Sequence, residues 1–394
     1  MSGAPAGRPH PGASERRPVA DGALSVALAS VGDPESPGTW SGVTAGVLGG
    51  LRELGVHTAA LNIALAPGLE QAMLGCAALA SANRFDAEGA ALTMRVHSLR
   101  ARRALGHARL DGVIQIGTSF VLPPHIPFVT LEDMTLRQGS TVHPVFSRMS
   151  ARGVAGWETR RRAIYAHARM CTVASRWAAA SLLEDYGLAP ERVGVVGFGA
   201  THTASVPTRA WTQPRFLFVG IDWERKGGPA VLRAFARLRE THPDAVLDLV
   251  GGHPPVHEPG VNAHGVLSRA RNSDRELILE LFARATCFVM PSLVEPFGIA
   301  YVEAACAGVA SIGTSVGGAP DVIGSDGGVV VDPRDEAALL AAMLRLADPE
   351  TARRMGRAAH ERSELYTWRK VAERLLRALG MELPDGRPPA ELLV

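Results

Sequence analysis

Two glutamates, Glu295 and Glu303, are separated by seven residues in a segment whose residue types suit a phosphate site. The apolar run 287–290 predicts a strand, and Gly298 stands just before a predicted helix. N–H groups at a helix start have no partners within the helix and attract phosphate oxygens. A glycine there lets a ligand approach the backbone closely. The pattern predicts a phosphate held by the N–H groups of residues 297–299, with one carboxylate on either side.

A lysine follows a second glycine turn. The apolar run 216–219 predicts a strand, Gly220 ends it, and Arg225 and Lys226 come shortly before a predicted helix over 229–241. Such a loop can place Lys226 on a diphosphate leaving group, where a fixed cation stabilises negative charge. Arg225 could supply a second positive charge. An ordinary charged surface turn is the open alternative.

The first part of the chain contributes a glycine and an aspartate. Gly42 lies in a glycine-rich loop over 32–43, after a predicted strand over 24–31, and its backbone could lie close to a ligand. Without the other motifs, a plain turn explains this loop equally well. Asp133 follows a predicted strand over 127–131, where it could act near a reacting atom or cap a turn.

These candidates need a scaffold that brings several strand ends together. Short apolar runs alternate with longer helical stretches between 24 and 196, and again between 216 and 331. This alternation is typical of parallel sheets with right-handed crossovers. We therefore predict an α/β fold with two doubly wound, Rossmann-like domains. Ligands of such sheets bind at the carboxyl ends of the strands, so the cleft between the domains is the expected site.

The segment from Pro291 to Ala304, with Glu295 and Glu303, resembles the Glu-x7-Glu motif of retaining glycosyltransferase family 4, whose members are group 1 glycosyltransferases with the GT-B fold. Lys226 matches a lysine that the family carries after the first strand of its second domain. Ile221 departs from the family, which usually has an arginine at that position. The resemblance extends over nearly the whole chain.

The resemblance implies a retaining transferase that moves a sugar from a nucleotide-diphosphate sugar to an acceptor hydroxyl on a small molecule, natural product or glycan. It implies that the reaction needs no metal ion. It also implies no cofactor, since the nucleotide sugar is a co-substrate. Glu303 would hold the ribose hydroxyls, Glu295 would orient the sugar, and Asp133 would orient the acceptor or share positive charge at the anomeric centre. The candidate catalytic residues are Glu295, Asp133 and Lys226, and the candidate donor-binding residues are Gly42, Gly220, Arg225, Lys226, Phe297, Gly298, Ile299 and Glu303.

A second class of function stays open. Ile221 lacks the expected charge, and Gly197-Phe198 departs from the turn that is usual in the family. The chain could therefore be a non-catalytic nucleotide-sugar-binding subunit of the same fold.

The expected domain boundaries follow from the two series of elements. They are a flexible tail over 1–22, an N-terminal acceptor domain over 23–200, a C-terminal donor domain over 201–370, and a crossover helix and tail over 371–394. The apolar run 23–29 after Arg16-Arg17 resembles an export signal, but Pro18 interrupts it and it leads into Gly32 as a first strand would.

Charge and composition exclude several classes of protein. The formal net charge of +2 gives no support to a nucleic-acid binder. Four cysteines without close pairs suit a reducing, cytoplasmic setting. The basic stretches 95–103 and 160–162 are most simply solvated faces. Their alternative is contact with an anionic membrane or an acidic acceptor, so peripheral membrane contact stays open but is not favoured.

Overall fold

The computed structural model describes residues 24–106, 109–201, 209–268 and 271–393. The expected tail over 1–22 lies outside these residues. Within them, no helix is long and apolar enough to cross a membrane.

The first half of the chain forms a six-stranded sheet in which all neighbours are parallel, in the order β2-β1-β3-β4-β5-β6. Its strands β1, β3 and β4 are buried along their whole length, which explains their nearly continuous runs of apolar residues. The strands are β1 Ser25–Ser30, β2 His57–Asn62, β3 Gly112–Ile116, β4 Phe128–Glu132, β5 Met170–Val173 and β6 Val193–Val195. The helices are α1 Val43–Glu53, α2 Pro67–Ser81, α3 Ala91–Leu105, α4 Leu136–Val142, α5 Ala151–His167 and α6 Arg176–Glu184.

The second half forms another parallel six-stranded sheet, in the order β12-β11-β10-β7-β8-β9. Its strands are β7 Arg215–Gly220, β8 Val246–Gly251, β9 Val261–Gly265, β10 Cys287–Met290, β11 Ala310–Thr314 and β12 Gly328–Val331. Its helices are α7 Gly228–Leu238, α8 Asn272–Arg284, α9 Ile299–Cys306, α10 Ala319–Ile323, α11 Glu336–Ala347 and α12 Pro349–Ser363. The chain builds outwards from β7 to β9 and then restarts at β10 on the other side of β7. The carboxyl ends of β7 and β10 therefore flank the crevice where such sheets bind ligands.

The predicted fold class, two doubly wound parallel sheets, is confirmed. The sequence analysis did not predict α2, α4, α10 or β9. Only Met73 and Ala77 are buried in α2, so it lacks the broad apolar stripe that marks a helix. No residue of β9 is fully buried, so it lacks the apolar run that marks a central strand.

The last helix, α13 (Trp368–Leu379), packs against α1 beside the first sheet. Two glycines of α1 make this close approach possible. A Cβ atom on Gly46 would overlap the Trp368 ring, and one on Gly50 would overlap the Trp368 carbonyl. The Trp368 indole N–H donates a hydrogen bond to the carbonyl of Ala200 at 2.7 Å, which fixes the start of α13.

Replacing Gly50 with valine should destabilise the protein by about 1–3 kcal/mol, because the new side chain would force α13 away from α1. The measurement is the urea midpoint of unfolding. Gly49→Ala is the matched control, since a Cβ atom there meets nothing within 4 Å. That control should be neutral or stabilising by up to ~1 kcal/mol, because alanine favours the helix. Equal midpoints for Gly50→Val and the wild type would contradict the packing.

Candidate functional site

A cavity of about 780 Å³ lies between the two sheets, at the carboxyl ends of β7 and β10. The first half contributes the loop after β1, with Trp40 and Ser41, and Asp133 after β4. The second half contributes the turn after β7 and residues 295–300. The cavity thus occupies the position that the strand order favours for a ligand.

An ion pair between Lys226 and Glu295 lies in the cavity wall that the second half of the chain contributes. The Glu295 side chain also accepts a hydrogen bond from the Ser292 hydroxyl at 3.0 Å, and the residue is only 6% exposed. Gly220 makes room for the lysine, because a Cβ atom there would lie 2.9 Å from Lys226 Cγ. The two predicted residues are therefore brought together, but as partners of each other, which the sequence analysis did not foresee.

The backbone of Glu295 is fixed by a glycine pair after β11. The Glu295 N–H donates to the Val316 carbonyl at 3.0 Å, and the Glu295 carbonyl accepts from the Gly318 N–H at 2.9 Å. Gly317 has a φ of +111°, and a Cβ atom on it would overlap the Glu295 backbone. Glycine at this turn thus allows the chain to lie against Glu295 and hold its carboxylate in the cavity wall.

The start of α9 presents backbone donors as predicted from the sequence. Within the described part of the chain, the N–H groups of residues 297–299 donate to no protein acceptor. Gly298 has a φ of +92°, and a Cβ atom on it would overlap the Tyr301 ring. The glycine is therefore needed for packing as well as for its backbone conformation. Phe297 is buried and packs edge-on against Phe198 of the first half, with ring centroids 5.1 Å apart.

Glu303 is not part of the described cavity lining, and its role with the ribose hydroxyls stays a prediction. It is 3% exposed, and among the described residues the cavity wall on α9 ends at Ala300. A helix that follows a parallel strand runs away from the strand's carboxyl end. Glu303, in the second turn, lies behind the wall in this conformation, and its charge raises the pKa of Cys306 in addition to burial.

Asp133 faces the cavity from the first half. Burial, then the neighbouring Glu132 and then Glu295, raise the pKa of Asp133 from 3.8 to about 6. The effect of Glu295 shows that the two candidate catalytic carboxylates are close enough to interact across the cleft. A carboxyl group in a cleft with a raised pKa is a candidate for a functional role.

A buried network holds the neighbour of Asp133. Glu132 accepts from Arg161 Nη1 at 3.0 Å, from the Tyr165 hydroxyl at 2.6 Å and from the Thr118 hydroxyl at 3.1 Å. The expectation that residues 160–162 form a solvated face is wrong at Arg161, which is buried. A three-residue basic run gives no periodicity from which to tell an inward-facing arginine, and the acid it pairs with lies 29 positions away.

The loop before α1 is strained next to the cavity. Trp40, Ser41 and Gly42 have φ values of 49°, 54° and 86° in succession. Left-handed conformations in residues other than glycine cost about 1–3 kcal/mol each and cluster at functional sites. Gly42 itself is buried, and a Cβ atom there would lie 3.4 Å from Thr201. The described cavity lining includes Trp40, Ser41 and Val43, the neighbours of Gly42, and a contact between the Gly42 backbone and a ligand stays a prediction.

Arg225 also lines the cavity, where it connects two loops. Its Nε donates to Asp222 at 3.0 Å and its Nη1 donates to the Val294 carbonyl at 3.2 Å. Ile221 lines the same region and is 76% exposed. Among the described residues, no three His, Cys, Asp or Glu side chains lie close enough together to hold a metal ion.

Comparison with known proteins finds a family model that matches part of the second half of the chain. Residues 205–362 match the family model described as "Glycosyl transferases group 1". The chain is 35% identical over 195 residues to glycogen synthase of Mycobacterium tuberculosis, covering 47% of each protein. It is 30% identical over 227 residues to "MMP alpha-(1->4)-mannosyltransferase" of Mycolicibacterium hassiacum, covering 55% of this chain and 54% of that protein. The chain thus spans about half the length of the curated relatives it matches.

Two solved structures match almost the entire chain. The sucrose-phosphate synthase of Thermosynechococcus elongatus has a TM-score of 0.65 at 18% identity, covering 90% of this chain and 98% of that one. Anabaena Alr3699/HepE, solved with UDP and glucose, has a TM-score of 0.59 at 13% identity, covering 91% and 99%. The GT-B fold is therefore confirmed. The resemblance to group 1 glycosyltransferases is confirmed over residues 205–362, and family 4 within that group stays a prediction.

Replacing Asp133 with asparagine should change how stability depends on pH. Because the folded state raises the pKa of Asp133 to about 6, this residue favours folding at low pH, and the benefit is lost as pH rises through 6. Relative to wild type, Asp133→Asn should therefore gain unfolding free energy between pH 4 and pH 7. Urea titrations across this range measure the gain.

The matched control is Asp326→Asn, at an exposed position outside the cavity lining. Its pH profile should run parallel to that of the wild type. A parallel profile for Asp133→Asn would show that Asp133 does not hold its proton more tightly in the folded state.

Proposed function

We propose that this chain, whose residues 205–362 match the group 1 glycosyltransferases, transfers a sugar from a nucleotide-diphosphate sugar to an acceptor hydroxyl, with retention at the anomeric carbon. The observation that carries the proposal is the Lys226–Glu295 pair beside the unpaired N–H groups of residues 297–299. Together they place cationic and N–H donors next to a carboxylate at the crevice of a doubly wound sheet.

Lys226 and the N–H groups of residues 297–299 suit the leaving group, the nucleoside diphosphate, because they are positive or hydrogen-bond-donating groups. As the bond between sugar and phosphate breaks, negative charge builds on the terminal phosphate of the nucleoside diphosphate. The N–H groups at 297–299 and the Lys226 ammonium stabilise that charge without rearranging. An ammonium has three donors, so Lys226 can keep Glu295 as a partner while it binds a phosphate oxygen.

The carboxylates act on the sugar and the acceptor. Glu295 accepts hydrogen bonds from the sugar and orients it, while Asp133 orients the acceptor from the opposite wall. In the front-face reaction that we propose, the acceptor oxygen bonds to the anomeric carbon from the face that the phosphate leaves as the bond between sugar and phosphate breaks, and the departing phosphate oxygen accepts the acceptor's proton. Movement of the two halves towards each other would exclude water, which would otherwise hydrolyse the donor.

Acceptor and location are proposed more broadly. The acceptor is a hydroxyl on a small molecule, natural product or glycan, in keeping with relatives whose names include glycogen synthase and D-inositol 3-phosphate glycosyltransferase. The cysteines Cys76, Cys171, Cys287 and Cys306 are free in the structure, and we propose a reducing, cytoplasmic setting.

The donor is identified by thermal shift with a panel of nucleotide sugars, since a ligand that binds the folded state raises its melting temperature. With that donor, Glu295→Gln and Lys226→Gln should each lower turnover by roughly 100-fold, the size expected for loss of one charge-stabilising group. Glutamine at 226 removes the charge and keeps a polar side chain with N–H donors, although this side chain is one bond shorter than that of lysine. NMR of the product shows whether the anomeric configuration is retained.

The matched control is Arg233→Gln, which removes an exposed cation of the same domain that pairs with Glu336. It should leave turnover unchanged. Turnover near the wild-type rate in both Glu295→Gln and Lys226→Gln would reject this site.

One observation favours a second candidate, a non-catalytic nucleotide-sugar-binding subunit. Ile221 is exposed at the cavity, where the resemblance to the family leads us to expect an arginine, so the protein lacks one positive charge that would face the diphosphate. Calorimetric binding of a nucleotide sugar without hydrolysis or transfer to any acceptor would select this candidate over the enzyme.

A further inference from the structure

A second cavity, of about 580 Å³, lies in the first half of the chain and shares no lining residue with the cleft. It is formed between α3 and α5, which pack on the same hydrophobic cluster of the first sheet, and by the segment after β3. Its wall combines three arginines with apolar side chains. We call it the basic pocket and define it by Arg95, Arg102, Arg160, Met94, Leu99 and Val121.

The basic pocket carries positive charge without a protein counter-charge. Arg95 and Arg102 are exposed, and among the described residues neither is paired with a carboxylate. Arg160 donates to the Gly89 carbonyl and to the Met94 sulfur, which are both uncharged. No acidic residue contributes to the described lining. Three guanidinium groups at one cavity are therefore complementary to an anion.

Apolar side chains surround these charges and are exposed. Leu99 is 57% exposed, Leu92 46% and Val121 43%. Leu92, Arg95, Leu99 and Arg102 recur at intervals of three and four residues, so they share one face of α3. That face alternates leucine with arginine and is turned outwards, away from the buried residues of the helix. Clusters of exposed apolar side chains mark interaction surfaces.

We propose that the basic pocket binds the phosphate headgroup of an anionic membrane lipid, while Leu99 and Val121 enter the boundary between headgroups and acyl chains. The arginines alone would suit a soluble anion, but such a ligand would leave both apolar side chains in water. An anionic bilayer satisfies both features, as it does for basic amphipathic helices that lie in the membrane interface.

The structure shows that one arginine of α3 holds the helix in place and that two others line the basic pocket. The sequence alone does not distinguish these arginines. Arg100 donates to the Ile63 carbonyl at 3.0 Å and thereby fixes α3 to the loop after β2. Arg95 and Arg102 project from the pocket wall instead. Val121 follows β3, and Asp133 follows the neighbouring β4, so both lie at the carboxyl edge of the first sheet. A membrane bound at the pocket would therefore lie near this wall of the cleft.

The test is sedimentation of the full chain with phosphatidylcholine vesicles that contain roughly one third phosphatidylglycerol, against vesicles of phosphatidylcholine alone. We expect binding to the anionic vesicles only. The variant Arg95→Gln/Arg102→Gln should weaken it by about tenfold or more, given the attraction of each basic residue to an anionic surface. Leu99→Ser should weaken it as well. Circular dichroism and melting curves check that each variant is folded.

Two matched controls accompany these variants. Arg103→Gln removes an exposed arginine of α3 outside the pocket lining, and Leu344→Ser removes an exposed leucine of α11; both should bind as the wild type does. Equal binding to neutral vesicles, no vesicle binding, or unchanged binding in the arginine and Leu99 variants would each overturn the proposal. So would a thermal shift with inorganic phosphate that depends on Arg95 and Arg102 without vesicle binding, since it would assign the pocket to a soluble anion.

Discussion

The Lys226–Glu295 ion pair is the interaction on which the cleft depends. Each charge is largely withdrawn from water, and removing one partner of a buried pair typically costs about 3–5 kcal/mol because the other charge is left uncompensated. The two residues belong to turns after β7 and β10, the strands that flank the crevice of the second sheet. The pair therefore stabilises the geometry of both turns and leaves a cation beside unpaired N–H groups, an arrangement that an anionic ligand completes.

Glycines set the precision of this geometry. Gly220 leaves room for the Lys226 side chain, Gly317 lets the chain cross the Glu295 backbone, and Gly298 allows α9 to begin above Tyr301. In each case a glycine without a Cβ atom leaves space for a charged or aromatic residue and so fixes the position of that residue. The strained turn at Trp40 is an exception, since it adopts left-handed backbone without glycine at its first two positions. Such a turn persists only when its surroundings hold it in place.

The sequence predicted the features that repeat or that have fixed local chemistry, namely the strand–helix alternation and the positions of Glu295, Lys226 and Asp133 in the cavity wall. It did not predict contacts between residues far apart in sequence, because neither periodicity nor motif spacing encodes them. The pairing of Lys226 with Glu295 spans 69 positions, and that of Glu132 with Arg161 spans 29. The spacing of Glu303 in the motif likewise could not predict that this carboxylate is buried at 3% exposure.

Contacts between the two halves hold the start of α9 against the first half of the chain. Ser175 donates to the Pro296 carbonyl at 3.2 Å, and Phe198 packs on Phe297, next to the end of α9 that carries the phosphate donors. The packing of α13 on α1 ties the end of the chain to the first half. These contacts between the two halves fix the start of α9 relative to the first sheet. The unpaired N–H groups at the start of α9 are therefore already held beside the Lys226–Glu295 pair in this conformation, without a ligand to position them.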